Sequence, residues 1–272
     1  MYVRQLGVDW FECLAPAKLN LFLEVRGRFP DGYHELETVM CGISLYDTLW
    51  FQSVQEHTNV ELEVVPVGAP FADVPRGADN LLVRAVTLLQ RAQGVAVGAR
   101  LRLFKRIPTQ AGMGGGSSDA AAALLLANQA WGLGLTRSQL LPFAAELGSD
   151  VSFFLGDSPA VCRGRGEQLQ PYLGAIPRQF VVVKPNEGLA TAEVYRELSL
   201  DQPPRPLPAK LGDAQIFNRL QEPALALLPK LNQLMDRMRI LGLSPWITGS
   251  GSALFAACAG RVRALRSANQ LR

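Results

Sequence analysis

Hydrophobic positions recur along this chain with a period of two in some stretches and with a helical period in others. In "AKLNLFLEV" (17–25), Leu19, Leu21 and Leu23 fall on one side and Lys18, Asn20 and Phe22 on the other, the alternation of a strand. "RFPDGYHEL" carries Pro-Asp-Gly, a turn signal, ahead of a second β-rich segment through "ETVMCGISLYDTLWFQ". Residues 58–65 and "ARLRLFKRIP" read as further strands, the latter ending at Pro108. "ADNLLVRAVTLLQRAQG" has helical spacing, with Asn80 near its start and Gly94 as its stop.

Further on, the pattern predicts a helix over 137–147, kinked at Pro142. A short helix or strand and then a hairpin follow in "VSFFLGDSPAVCRGRGEQLQP", and "QFVVVKP" reads as a buried strand. The Pro-rich segment 199–211 is an exposed loop, with helices expected at 213–228 and 230–241. "WITGSGSALFAAC" gives a strand, a glycine turn, and a strand or helix. Helices and strands mix without regular βαβα alternation, so the class is α+β. The expected domain boundary lies near 157–168, dividing 1–162 from 163–272.

One stretch stands apart: "PTQAGMGGGSSDAAAALLLANQAWG" (108–132) sets a glycine cluster directly against a strong helix former. Gly112, Gly114, Gly115 and Gly116 allow positive φ and close approach of a ligand to the backbone. From Ser117 onward a helix is expected, with Ser117 and Ser118 near its N-cap and Asp119 in its first turn. A helix N-terminus presents unpaired N–H groups and partial positive charge, so this strand–loop–helix suits a phosphate. A tight loop capped by Ser and Asp, without any ligand, is the plainer alternative. The loop is not a Walker A loop, which needs Lys then Ser or Thr after its last Gly. Nor is it a dinucleotide fingerprint, because "GMGGGS" places Ser117 where the third small residue belongs.

Composition narrows the function classes. At 272 residues the chain suits one large domain or two modest ones, and a net charge of +3 gives no nucleic-acid or membrane-surface footprint. Cys13, Cys41, Cys162 and Cys258 are far apart, and only two histidines accompany them, so no Cys/His zinc site is expected. Scattered cysteines fit reduced core thiols. No signal-peptide core and no run near ~18 apolar residues is present, so a cytoplasmic protein is expected.

Three separated motifs then match one family in order. "PTQAGMGGGSSDAAA" resembles the phosphate loop P-x-x-x-G-L-G-G-G-S-S of the GHMP kinases, with Met113 in place of Leu; "APAKLNLFLEV" and "ITGSGSALFA" resemble its N-terminal motif and C-terminal glycine turn. This superfamily includes the galactose, homoserine and mevalonate kinases. The resemblance implies a two-domain α+β fold, with a ribosomal-protein-S5-like domain over 1–162 and a ferredoxin-like domain over 163–272. It implies ATP as phosphoryl donor, Mg²⁺, and a small-molecule alcohol as acceptor, with no nucleic-acid or membrane partner. "PAKLNLFL", "DGYHELETV", "ADNLLVRA", "LGSDVSFFL" and "GRGEQLQP" resemble the branch whose acceptor is a CDP-linked methylerythritol. That branch phosphorylates the 2-hydroxyl on the non-mevalonate route to isoprenoid precursors. Family members usually run through a helix and a further strand after the "GSGS" turn, so if that strand is missing the C-terminal sheet is expected to have an open edge or to be completed differently.

Asp150, in "LGSDVSFF", reads as a carboxylate at a helix end, where the dipole disfavours it, or as the cap of the next helix. The resemblance makes it the general base. Lys18, by itself an ordinary strand lysine, is placed by the resemblance beside that carboxylate, where its charge would steady the attacking hydroxyl. Asn20, on the same face of the strand, would contact the acceptor. By resemblance Tyr33 stacks on the cytosine, His34 hydrogen-bonds its edge, and Thr191 and Tyr195 supply the other side. Asn80 and Lys105 match adenine-side positions. Gly112, Gly114, Gly115, Gly116, Ser117 and Ser118 would wrap the ATP phosphates. Gly249, Ser250 and Gly251 would close around the substrate, or serve structure alone. No metal ligand is assigned. A sibling kinase with another acceptor, and a nucleotide-binding protein without catalysis, remain the alternatives.

Overall fold

The alternation read at 17–25 is the middle of a far longer strand. In the computed structural model, which describes residues 1–68 and 74–272, the strand runs without a break from Trp10 to Arg28. From Lys18 to Val25 both of its faces are buried. The chain divides into two compact units, each drawn from three segments. The first holds Met1–Lys18, Gly42–Thr109 and Gly114–Ser158; the second holds Leu19–Cys41, Gln110–Met113 and Pro159–Arg272.

In the first unit β1 (Val3–Leu6) lies antiparallel to the start of β2 (Trp10–Arg28), pairing Val3 with Cys13. Four more elements follow: β3 (His34–Val54), β4 (Val60–Pro66), α1 (Leu81–Ala92) and β5 (Gly98–Lys105). The later half of β3 pairs antiparallel with β5, Thr48 opposite Phe104, and β4 lies parallel along β5's other side. Three helices complete the unit: α2 (Gly115–Ala130), α3 (Arg137–Leu147) and α4 (Ser149–Leu155).

The reasons are local. Asn80 caps α1 by accepting from the Leu82 N–H, and Gly94 ends that segment at positive φ. Thr136 and Gln139 close a capping box on α3, whose interior holds Pro142. Ala120 to Leu124, Leu126 and Ala127 of α2 are fully buried, and their small side chains let α1 and α4 pack closely around it. Each large apolar side chain so buried contributes roughly 1.5–3 kcal/mol relative to exposure.

In the second unit the start of β3 pairs with β6 (Ala160–Gly164), which forms a hairpin with β7 (Gln168–Pro171). β8 (Phe180–Val183) and α5 (Thr191–Arg196) come next, followed by β9 (Phe217–Asn218), parallel to the end of β2. Last are α6 (Gln221–Leu227), α7 (Lys230–Ile240), β10 (Trp246–Ile247), β11 (Leu254–Ala257) and α8 (Arg261–Leu271). β10, β11 and β8 make a three-stranded antiparallel sheet with β10 and β8 at its edges. Its core includes Val181, Val194, Leu231, Met235, Met238, Ile247 and Leu254.

Two expectations are corrected. The helix read over 213–228 is a 3-10 turn at Asp213–Gln215, then β9, then α6. Asn218 breaks it: its side-chain oxygen accepts from the Leu220 N–H while its amide donates to Ile247 and Gly249 carbonyls, so a helix forms only beyond it. α2 begins at Gly115 rather than near Ser117, with Gly114 as N-cap in the left-handed region. Asp119 therefore sits beyond the first turn, and neither serine caps the helix. No described helix is long and apolar enough to cross a membrane.

Candidate active site

At Gly114 the backbone has φ 68°, and a Cβ there would lie 3.0 Å from both Lys18 Cγ and Phe154 Cζ. Only glycine meets both conditions, and the turn it makes starts α2. Gly112 also takes positive φ, and a Cβ on it would collide with the Thr248 carbonyl oxygen. Gly115 and Gly116, free to take positive φ, are instead the first helical residues. A Cβ on Gly116 would meet nothing within 4 Å, so this glycine leaves open space over the first turn of α2. Ser117 is partly exposed; Ser118 is buried, and its N–H donates to the Gly114 carbonyl at 2.8 Å.

Lys18 and Asp150 meet in the same unit. The Lys18 Nζ lies 3.4 Å from Asp150 Oδ2, with the lysine side chain buried and the carboxylate about one-third exposed. Asp150 does not stand at the end of a helix, as its sequence suggests. Gly148 ends α3, and Asp150 is the second residue of α4, near an N-terminus that favours negative charge. Nor does Asp150 cap α4, because Gly148 holds that position without a side-chain bond. A half-open carboxylate held by a buried ammonium can accept a proton from a hydroxyl brought to it.

Lys105 is not open to a ligand. Its ammonium donates to Asp47 Oδ2 at 2.5 Å and Asp119 Oδ2 at 2.7 Å, and all three side chains are buried. Burial pushes the Asp119 carboxyl up to about 7; Lys105 opposes this and Asp47 adds to it. Burial works against the charge on Lys105 too, but the two carboxylates outweigh it and raise its pKa. Asp119 Oδ1 and Ser118 Oγ are buried without a hydrogen-bond partner. Hard oxygen donors of this kind suit Mg²⁺. Among the described residues no cluster of three His, Cys, Asp or Glu could hold a metal by itself.

In the second unit Thr248 ties several predicted residues together. Its hydroxyl accepts from the Asn20 N–H at 3.0 Å and lies 3.3 Å from both Asn20 Oδ1 and the Gly112 carbonyl. The Asn20 amide donates to Thr38 Oγ1 at 2.9 Å. Gly249 and Gly251 take positive φ in the C-terminal glycine turn, and Ser250 Oγ sits 2.9 Å from Thr191 Oγ1.

The GHMP kinases N terminal domain matches residues 80–164. The 4-diphosphocytidyl-2-C-methyl-D-erythritol kinase of Pelotomaculum thermopropionicum is 39% identical over 95% of this chain and 91% of its own length. That of Delftia acidovorans is 41% identical, over 89% of this chain and 84% of its own. A crystal structure of 4-(cytidine 5'-diphospho)-2C-methyl-D-erythritol kinase superposes with a TM-score of 0.80 at 39% identity, covering 96% of this chain and 95% of that one. The chain belongs to the 4-diphosphocytidyl-2-C-methyl-D-erythritol kinase family.

Two features surround the sequence-predicted base-binding residues. Tyr33 is 59% exposed, but the Arg165 guanidinium lies 4.2 Å over its ring and pairs with Asp31. Tyr195 lies against the His34 ring, centroids 4.8 Å apart. Arg28 Nη2 approaches His34 Nε2 at 3.2 Å, and since arginine only donates, Nε2 accepts and the imidazole is neutral. Burial and the Arg28 charge lower the His34 pKa accordingly. Asn80 is occupied at both ends, capping α1 and donating to the Pro75 carbonyl at 2.6 Å.

Sequence reasoning missed Asp47, Arg165, Asn218 and Thr248. Asp47 carried a signal: period two puts it on the same face as Leu49 and Phe51, where the core calls for an apolar residue.

Proposed function

We propose that this protein uses ATP to phosphorylate the 2-hydroxyl of 4-diphosphocytidyl-2-C-methyl-D-erythritol, in the non-mevalonate route to isoprenoid precursors. The observation that carries the mechanism is the Lys18–Asp150 contact at 3.4 Å, in the unit whose glycine-started helix α2 opens toward solvent at Gly116. Family membership supports the acceptor.

In this reading the first N–H groups of α2, from Gly115 to Ser117, hold the ATP phosphates, helped by the helix dipole and the Ser117 hydroxyl. Asp150 accepts the proton of the acceptor hydroxyl, and Lys18 supplies positive charge to the oxygen that becomes the nucleophile. Mg²⁺ would be held by the phosphates and the Ser118 hydroxyl, where it would neutralise charge on the transferred group. Asn20, rigid through Thr38 and Thr248, orients the acceptor. Tyr33, His34, Thr191 and Tyr195 take the cytidine end, and Gly249, Ser250 and Gly251 line the acceptor's phosphates. Asn80 acts on the adenine side through the position of α1, since its own polar atoms are already bonded.

Coupled detection of ADP, with several alcohols offered in turn, tests the reading. Turnover of the CDP-linked methylerythritol far above that of mevalonate, homoserine or galactose is expected. Comparable turnover of any of those three would overturn it.

A further inference from the structure

We propose that Asp47, Lys105 and Asp119 form a positioning triad for ATP, a buried clamp that fixes the direction of the α2 amides. The proposal rests on the ATP reading above and adds to it residues that touch no substrate. Asp47, on β3, is completely buried, and its Oδ1 accepts from the N–H groups of Arg106 and Ile107, directly after β5. Its Oδ2 accepts from Lys105, the last residue of that strand. Lys105 then reaches Asp119, inside α2. One chain of bonds therefore joins the segment before the glycine loop to the helix after it.

The clamp lies directly beneath the first residue of α2. A Cβ on Gly115 would sit 3.0 Å from Lys105 Nζ and 3.0 Å from Ile107 Cγ2. Moving the ammonium would thus let the helix start shift. A displacement of about 1 Å in a positioning element can cost on the order of 10²-fold in function. Two carboxylates and one ammonium, all removed from water, are an expensive way to hold a helix that is already well packed. The arrangement makes sense where the helix terminus must be set accurately for a charged ligand.

The test is titration of a non-hydrolysable ATP analogue, with Mg²⁺ and separately with EDTA, into the wild type, Asp47→Asn, Asp119→Asn, Lys105→Met and the Lys105→Met/Asp119→Asn pair. Circular dichroism and Tm check folding, and Asp119→Asn, nearly the same shape, guards against loss of fold in Lys105→Met. We expect each single change to weaken the analogue about tenfold or more in both buffers, with acceptor affinity unchanged. The double variant should be no weaker than the worse single, because both break one clamp. Weakening in Lys105→Met alone would mean that Lys105 touches the nucleotide, and would overturn the triad. So would weakening of Asp119→Asn only with Mg²⁺, or unchanged affinity with a lowered Tm. Failure of the wild type itself to bind the analogue would overturn the ATP reading along with the triad.

Discussion

The ammonium of Lys18 lies 3.4 Å from the Asp150 carboxylate, one arriving from the long strand β2 and the other from the first turn of α4. The lysine is buried and the carboxylate half-open, so the pair has a fixed member and an accessible one. Replacing Asp150 by Asn keeps the shape and removes the base. kcat should fall by roughly 10²–10⁴ while binding of an ATP analogue stays near normal. Near-normal turnover would leave Asp150 as a partner for Lys18 and nothing more.

Gly116 separates folding from binding. A Cβ there meets no protein atom within 4 Å, and alanine in a helix is favoured over glycine by roughly 0.5–1 kcal/mol. Gly116→Ala should therefore raise Tm slightly and weaken ATP, because the methyl group enters the space assigned to phosphate. Calorimetry on the variant measures both. Equal or tighter ATP binding would place the phosphates elsewhere.

His34 should give a pH signature. Its pKa lies below the ordinary imidazole range, by burial first and then by the Arg28 charge, so it stays neutral at pH 7. A depressed histidine pKa means that the unfolded chain binds the extra proton, so His34's contribution to stability is present at neutral pH and lost as pH falls. Protonation also removes the accepting nitrogen needed at a base edge. KM for the acceptor should rise as pH falls through the lowered His34 pKa, beneath the ordinary imidazole value, while KM for ATP stays flat. His34→Gln should abolish that slope, and a slope that persists assigns it to another group.

Tyr33 should carry stacking energy for the cytosine. Tyr33→Ala is expected to weaken the acceptor by on the order of 1–3 kcal/mol, by analogy with base–aromatic stacking elsewhere. Arg165 covers the ring in the structure, so Arg165→Ala should change acceptor binding without touching ATP. Full activity in Tyr33→Ala would remove the base-stacking reading.

Much of this was legible in the chain. Period two revealed β2 and β5, and Asn80 and the glycine cluster stood close to where helices start. Most of what failed involved side chains bonded to partners distant in sequence. The helix expected over 213–228 breaks because Asn218 serves a turn some thirty residues later, which no local propensity encodes. Lys105 matches an adenine-side position by resemblance, and its partners Asp47 and Asp119 were hidden because they lie on other elements. Even so, its place on the face of Leu101 and Leu103, with Asp47 on the face of Leu49 and Phe51, announced two charges pointing into a core. Asp150 was chosen on the resemblance while its helix-end argument had the wrong sign, because the break at Gly148 turns one helix end into the next helix's beginning.

The reaction leaves a new phosphomonoester on the methylerythritol carbon chain, and ³¹P NMR of the reaction mixture reads it directly. With ATP and the CDP-linked methylerythritol, a new monoester resonance should grow in step with ADP, the diphosphate bridge of the acceptor intact. Loss of that bridge, or ADP formed with no new monoester, would contradict it.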